Sequence, residues 1–250
     1  VLLLLLGSSF FMTAQKFELG KVSVAELEER VHPNDPSAVA AVLFQKGEVH
    51  LDYSRTNGSV TVLEVTSRIK IYSKEGYDWA NMAIRYYSMN NYEKVSIYEA
   101  NTYNLVDGKI EKTKMKGEGE FDEKINKYVS NKKITLPNIK EGSVIEYSYK
   151  ITSPNYVRMR DWAFQYDIPV NYSEFKTVIP EYFVYRQNQR GTFFPKVKTE
   201  SVQMGKYAET RTTYLAENVP PLKEEAYVNN IRNYTSIISH ELATTKFSDG

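Results

Sequence analysis

The stretch Thr61-Val62-Leu63-Glu64-Val65-Thr66-Ser67-Arg68-Ile69-Lys70-Ile71-Tyr72 decides the fold class. Leu63, Val65, Ile69 and Ile71 share one parity, and Glu64, Thr66, Arg68 and Lys70 share the other. A period of two puts successive side chains on opposite faces, the pattern of a half-buried β-strand. Ser143 to Thr152 repeats it: Ile145, Tyr147, Tyr149 and Ile151 alternate with Glu146, Ser148 and Lys150. Residue choice agrees. After Gln15 there are 21 Val, 15 Ile and 16 Thr against 10 Leu and 12 Ala, so strand formers outweigh helix formers.

Turn residues fall between these runs. Asn57-Gly58 and Asp107-Gly108 are hairpin candidates, and Glu141-Gly142 is a further turn. Pro137, Pro154, Pro169, Pro180, Pro195 and Pro220-Pro221 also lie between strand-like runs, where a missing amide donor costs least. One helix is predicted. Ser23-Val24-Ala25-Glu26 has capping-box spacing, Leu27 to Arg30 continue it, and it should stop before His32-Pro33. Pro221 to Asn229 has room for a helical turn. Strands at regular spacing without intervening helices predict an all-β, antiparallel β-sandwich with one short amino-terminal helix.

Residues 1–15 are a different material. They carry no charge, open with Leu2 to Leu6 and end in Thr13-Ala14-Gln15. The apolar part is shorter than the roughly 20 residues of a spanning helix, so 1–15 reads as the remnant of a secretory signal peptide without its basic leading segment. The expected organisation is this leader, a helical lead-in over 16–37, a β-sandwich domain over 38–245, and the start of a linker over 246–250. The expected location is the periplasm or outer cell surface, with no membrane span after leader cleavage.

Composition excludes several functions. Of the 250 residues, 32 are Lys or Arg and 31 are Asp or Glu, so the net charge of +1 argues against a nucleic-acid binder. No cysteine is present, which removes disulfides, thiolate metal sites and a cysteine nucleophile. His32 is expected in a solvated loop beside Asp35, with too few local ligands for a metal. His50 and His240 read as strand histidines in ordinary hydrogen bonds, because no Gly-x-Ser-x-Gly elbow supplies a serine. Glu118/Glu120, Asp122-Glu123 and Glu224-Glu225 are paired carboxylates, but nothing selects two of them as the acid and base of glycoside hydrolysis. Gly117-Glu118-Gly119 lacks the flanking strand and helix of a phosphate loop. Lys109 to Lys116 reads as an exposed hairpin arm. Tyr86, Tyr87, Tyr98, Tyr103, Tyr182, Phe183 and Tyr185 offer a platform for sugars or peptides, against the commoner packing of tyrosine in cross-strand pairs. Trp79 and Trp162 read as core anchors. No catalytic, cofactor-binding or metal-binding residue is assigned, and no cofactor is expected.

A series of short strings resembles a known family. They are Ile69-Lys70-Ile71-Tyr72-Ser73-Lys74-Glu75-Gly76, Asn104-Leu105-Val106-Asp107-Gly108-Lys109-Ile110, Leu136-Pro137-Asn138 and Gly142-Ser143-Val144-Ile145-Glu146-Tyr147-Ser148-Tyr149. Trp162-Ala163-Phe164-Gln165, Ile168-Pro169-Val170, Ser173-Glu174-Phe175, Ile179-Pro180-Glu181-Tyr182 and Val219-Pro220-Pro221-Leu222-Lys223-Glu224-Glu225 follow. Their order from about Ala38 to Leu242 resembles the domain-of-unknown-function family numbered 3857, exported domains of Bacteroidetes-type bacteria that precede a transglutaminase-like domain. The resemblance implies an immunoglobulin-like sandwich and no catalytic residue in this part, since the triad of the partner domain needs a cysteine. The implied role is a non-catalytic accessory module beside a transglutaminase-like, cysteine-protease-like domain, binding an extended peptide or a glycan. A stand-alone structural or adhesive domain, predicting an exposed apolar or aromatic patch and no cleft, and a carboxylate- or His-dependent hydrolase are the alternatives.

Overall fold

The computed structural model describes residues 17–56, 58–222 and 234–246. The leader, Glu224-Glu225 and most of the 221–229 segment lie outside them. In chain order the elements are α1 (Val24–Glu28), β1 (Ala40–Ser54), β2 (Gly58–Ile71), β3 (Asn81–Tyr87), β4 (Lys94–Val106), β5 (Lys109–Lys114), β6 (Glu120–Lys124) and β7 (Val129–Thr135). There follow β8 (Val144–Ser153), β9 (Trp162–Ala163), β10 (Val170–Pro180), β11 (Phe183–Arg190), β12 (Lys196–Met204), β13 (Tyr207–Val219) and β14 (Ile237–Thr245). The molecule is predominantly β. Eight strands form one long sheet in the order β12-β13-β10-β1-β2-β8-β4-β5, and two three-stranded sheets, β3-β7-β6 and β11-β14-β9, accompany it.

The two periodic stretches are neighbours in the long sheet, with Leu63 opposite Ile151, Val65 opposite Tyr149 and Ile69 opposite Ile145. One cross-strand row runs Tyr214, Phe175, Gly47, Val65, Tyr149, Ile97. Trp162 of β9 lies over this row, its ring stacked 5.0 Å from that of Phe175. It sits so close to Gly47 that a Cβ there would meet the indole at 2.3 Å. Ile84 of β3 and Ile134 of β7 join the same apolar cluster as Ile69, Ile71 and Ile145. Both small sheets therefore cover one face of the long sheet.

Three expectations need correction. The sheets are antiparallel except for one junction, where β1 and β10 run parallel from Val42 opposite Val170 to His50 opposite Val178. A hairpin forces reversal, but β10 reaches β1 by a long path through the covering strands and is free to run either way. The polar face of β2 is solvated only in its first half: Glu64 is exposed, but Arg68 is 4% exposed, and Lys70 and Glu146, the cross-strand partner of Arg68, are fully buried. The lead-in seals them. Arg68 donates from Nε to Glu146 Oε1 (2.8 Å), from Nη1 to Glu26 Oε1 (2.7 Å) and from Nη2 to the Glu18 carbonyl (2.8 Å), while the Gly20 N–H donates to Glu146 Oε2 (2.8 Å). Phe17 closes over Phe44 and Tyr172, with ring centroids 5.1 and 4.4 Å apart.

The helix is shorter than its sequence pattern. Its capping box is formed, Ser23 Oγ accepting from the Glu26 N–H (3.2 Å) and Glu26 Oε2 from the Ser23 N–H (2.6 Å). It stops at Glu28 because Glu29 is extended and its carboxylate accepts the Tyr72 hydroxyl (2.5 Å). Lys70 Nζ binds the carbonyls of Leu27 (2.9 Å) and Gly142 (2.7 Å), which gives the helix end a donor other than its own next turn. The Asp107-Gly108 turn forms as read, both residues at positive φ (49° and 73°), between β4 and β5.

Candidate functional site

The covering layer is split. β3 is an edge of one small sheet and β9 an edge of the other, and both line the same groove over β2 and β8. The hydrogen-bond phase of β3 follows from its ends. The Ala80 carbonyl accepts from the Leu136 N–H (2.9 Å), and the Ser88 N–H donates to the Tyr128 carbonyl (2.9 Å). Alternate residues of an antiparallel pair exchange bonds, so the even-numbered positions face β7. Asn81, Ala83, Arg85 and Tyr87 turn their backbone groups the other way, towards the groove. Glu93 occupies Tyr87 at both groups, its Oε2 accepting the Tyr87 N–H (2.7 Å) and its own N–H donating to the Tyr87 carbonyl (2.8 Å). Arg160 donates from Nη1 to the Arg85 carbonyl (2.8 Å) and from Nη2 to Glu93 Oε2 (2.6 Å), tying the two sides together at one end. Among the described residues no strand pairs with the outer side of Ala83.

Two adjoining cavities of about 600 and 450 Å³ make up the groove and share Met82, Ala83, Tyr147 and Tyr166. The floor includes Tyr147 and Tyr149, and Trp79 stands at one wall, edge-on to Tyr166 (5.8 Å, 88°). Beneath it the core face carries a polar row, Ser173, Gln45, Ser67 and Tyr147, in register across β10, β1, β2 and β8. Gln45 Nε2 donates to the Ala163 carbonyl (2.8 Å) and Ser173 Oγ (2.9 Å), and the Tyr166 hydroxyl donates to Gln45 Oε1 (2.9 Å). Burial pushes the hydroxyls of Tyr147, Tyr149 and Tyr166 upward in pKa, so they stay neutral phenols. Neutral phenols and amides bind and orient, and charged side chains stand at the two ends of the groove; among the described residues no serine or histidine lines it as nucleophile and base.

Ser67 is the missing signal in the sequence. The strand face reads Leu63, Val65, Ser67, Ile69, Ile71, and Tyr rather than an aliphatic residue stands at 147 and 149 of the neighbouring strand. Hydroxyls at positions of core parity mark the place where the covering layer opens.

A larger cavity of about 790 Å³ lies at His32, Asp35, Gln165, Asn171, Asn218 and Leu222. Its histidine is already engaged. His32 is 3% exposed, against the expectation of a solvated loop, and both ring nitrogens hold the fold. Nδ1 accepts the Asp35 N–H (3.1 Å), so Nε2 carries the proton and donates to Asn171 Oδ1 (2.7 Å).

The other candidates scatter. His50 is half-buried in β1. His240 lies within β14, Nε2 3.1 Å from the Tyr214 hydroxyl, and burial lowers its pKa to about 4. Among the described residues no three His, Asp or Glu side chains are grouped to hold a metal ion. Glu120, Asp122 and Glu123 pair with lysines of β7: Lys132 lies 3.4 Å from Glu120 and 2.9 Å from Asp122, and Lys133 lies 3.3 Å from Glu123. Glu118 sits in the short turn before β6. The Lys109 to Lys116 arm forms the exposed edge strand β5 and the residues after it.

The seven aromatics do not make one platform. Tyr103 is buried, Tyr98 stands under Lys150 (5.4 Å), and Tyr86 donates to Asp122 (2.9 Å). Tyr182, Phe183 and Tyr185 cluster with one another. Tyr87 instead joins Tyr92 (5.8 Å) and Tyr128 (6.0 Å) in an exposed patch. Of the two tryptophans, Trp162 is the expected core anchor, with Nε1 donating to Ser173 Oγ (3.1 Å), whereas Trp79 is only partly buried.

The model of a family described as a domain of unknown function with solved structure, DUF3857, matches residues 56–223. The chain belongs to the DUF3857 family. That span runs from the turn before β2 to just beyond β13, and both sides of the groove fall inside it. Among solved structures, this DUF3857 chain is similar to a protein of Parabacteroides distasonis described as a "putative protease", at 15% identity and a TM-score of 0.63, over 81% of this chain and 40% of that one. The likeness is one of fold, and the chain spans less than half the length of that protein. Native yeast LTA4 hydrolase matches over 83% of this chain and 30% of its own, at 9% identity and a TM-score of 0.32, too low to carry an argument. No curated protein matches the sequence.

Proposed function

We propose that this DUF3857 chain is a non-catalytic recognition module that takes an extended peptide into the groove between β3 and β9. In this reading the module is exported, has an immunoglobulin-like sandwich, and serves as the accessory part of a longer envelope protein whose catalytic domain is transglutaminase-like. The observation that carries it is the free outer edge of β3 at Ala83, set in a tyrosine-floored groove. An extended peptide satisfies such an edge by adding a strand, its backbone giving affinity and the pockets giving selectivity. The similarity to a longer protein described as a putative protease favours a peptide over a glycan. The aromatic patch at Tyr87, Tyr92 and Tyr128 favours a second reading, a stand-alone adhesive domain. That reading called for a patch without a cleft, and the cleft is there. A hydrolase acting alone gains no support from the placement of the carboxylates and histidines described above.

The test is Ala83→Pro. Proline on an edge strand, at a position whose N–H points away from its neighbour, is tolerated by the sheet. It removes the donor offered to the peptide and leaves the β7 ladder intact. A pool of fluorescein-labelled octapeptides titrated by anisotropy should bind the wild-type chain, weaken about tenfold in the variant, and emerge uncleaved by mass spectrometry. Equal binding by wild type and variant, no binding by either, or cleavage of the peptides would each refute the proposal.

A further inference from the structure

The groove has unlike ends. At the Asn81 end stand Asp78 and Asp167, both exposed, and among the described residues the lining there carries no cation. At the Arg85 end the lining brings together Arg85, Arg158 and Arg160 with Glu93 and Asp161. Glu93 is engaged by Arg160 (2.6 Å), and Arg158 lies between Asp161 (3.6 Å) and Glu241 (3.5 Å), so the cation left over at this end is Arg85. Among the described residues the Arg85 guanidinium has no carboxylate within ion-pair distance, and Nε of Arg160 is buried without a partner. The two ends are four residues apart along β3, about 13 Å at the rise of a strand. A four-residue spacing returns a strand's side chains to the same face, so one peptide can present a charge to each end.

We propose that the groove selects peptides carrying an acidic and a basic residue four positions apart, and that this charge pair sets the direction in which the peptide lies. This rests on the peptide reading above and names its ligand class. β3 runs from the acidic end to the basic end. A peptide added antiparallel, the better-bonded arrangement, enters at the Arg85 end and leaves at the Asp78 end. Its acidic residue therefore precedes its basic one. The reverse order requires a parallel strand, with slanted and weaker pairing.

Three labelled octapeptides of matched length test this, with the cores Glu-Thr-Val-Thr-Lys, Lys-Thr-Val-Thr-Glu and Gln-Thr-Val-Thr-Gln, each blocked at both ends. The first should bind about fivefold more tightly than the neutral peptide, the scale of two exposed ion pairs, and should also surpass the reversed one. Its advantage should shrink as salt rises and the screening length falls. Asp78→Asn with Asp167→Asn, both surface changes, should reduce that advantage, weakening the first peptide more than the neutral one. Equal binding of all three peptides overturns the charge selection and leaves the groove reading standing. Tighter binding of the reversed peptide overturns the direction. Failure of all three to bind overturns the groove reading itself.

Discussion

Replacing Arg68 by Met tests the sealed face of β2 most directly. The guanidinium answers two carboxylates and a carbonyl at once. Methionine of similar reach removes the charge and leaves Glu146, fully buried, with the Gly20 N–H as its backbone donor. Deleting one partner of a buried ion pair costs about 3–5 kcal/mol, because the survivor stays charged and desolvated. For a chain of this size that lowers Tm by roughly 6–20 °C, at 2–4 °C per kcal/mol. The double variant Arg68→Met with Glu146→Leu removes the stranded charge as well. Apolar replacement of a buried pair is commonly neutral or better, so it should recover most of the loss. Urea unfolding followed by tyrosine fluorescence and circular dichroism measures both. Arg68→Met losing less than about 1 kcal/mol would mean that the pair is effectively solvated and that the lead-in does not seal the sheet; a double variant worse than the single one would point the same way.

Gly47→Ala should lower stability by about 1–3 kcal/mol, because the new methyl meets the Trp162 ring at 2.3 Å; adding Trp162→Phe should relieve part of the loss, and a wild-type melting curve for Gly47→Ala would refute the packing. His240→Phe should flatten the acid side of the stability curve. The folded-state pKa of about 4 lies below the unfolded value near 6.5, so protonation favours unfolding and stability falls as pH drops from 6.5 towards 4. That contribution amounts to about 3 kcal/mol at full protonation, and the difference between variant and wild type isolates it from carboxylates titrating in the same range.

Local regularity was legible in the sequence. The alternation at 61–72 and 143–152, the capping box at Ser23 and the Asp107-Gly108 turn each depend on residues a few positions apart, and each formed. What escaped depends on distant partners. Nothing in the pattern of Val42 to His50 says that its neighbour on one side runs parallel. Arg68 and Lys70 read as a solvated face because their cover comes from Phe17 to Leu27, a segment whose docking leaves no periodic trace. His32 misled in the same way, since Asn171 supplies its second partner. The groove was half visible: periodicity assigns Tyr147 and Tyr149 to a face but does not say whether the layer above them closes.

The parallel junction of β1 with β10 governs the order of assembly. Gln45 and Ser173, which bond to each other there, are 128 positions apart in the chain. Contacts of such long separation form late, because a large loop must close before they repay it. When the chain emerges from its amino terminus, β1 can pair at once with β2, but its opposite flank stays bare until β10 arrives. During that interval it offers a long unpaired ladder of the kind that recruits other chains. A shortened version ending before Val170 would keep that flank open permanently and should aggregate, whereas loss of β12 alone would expose only the outermost rung.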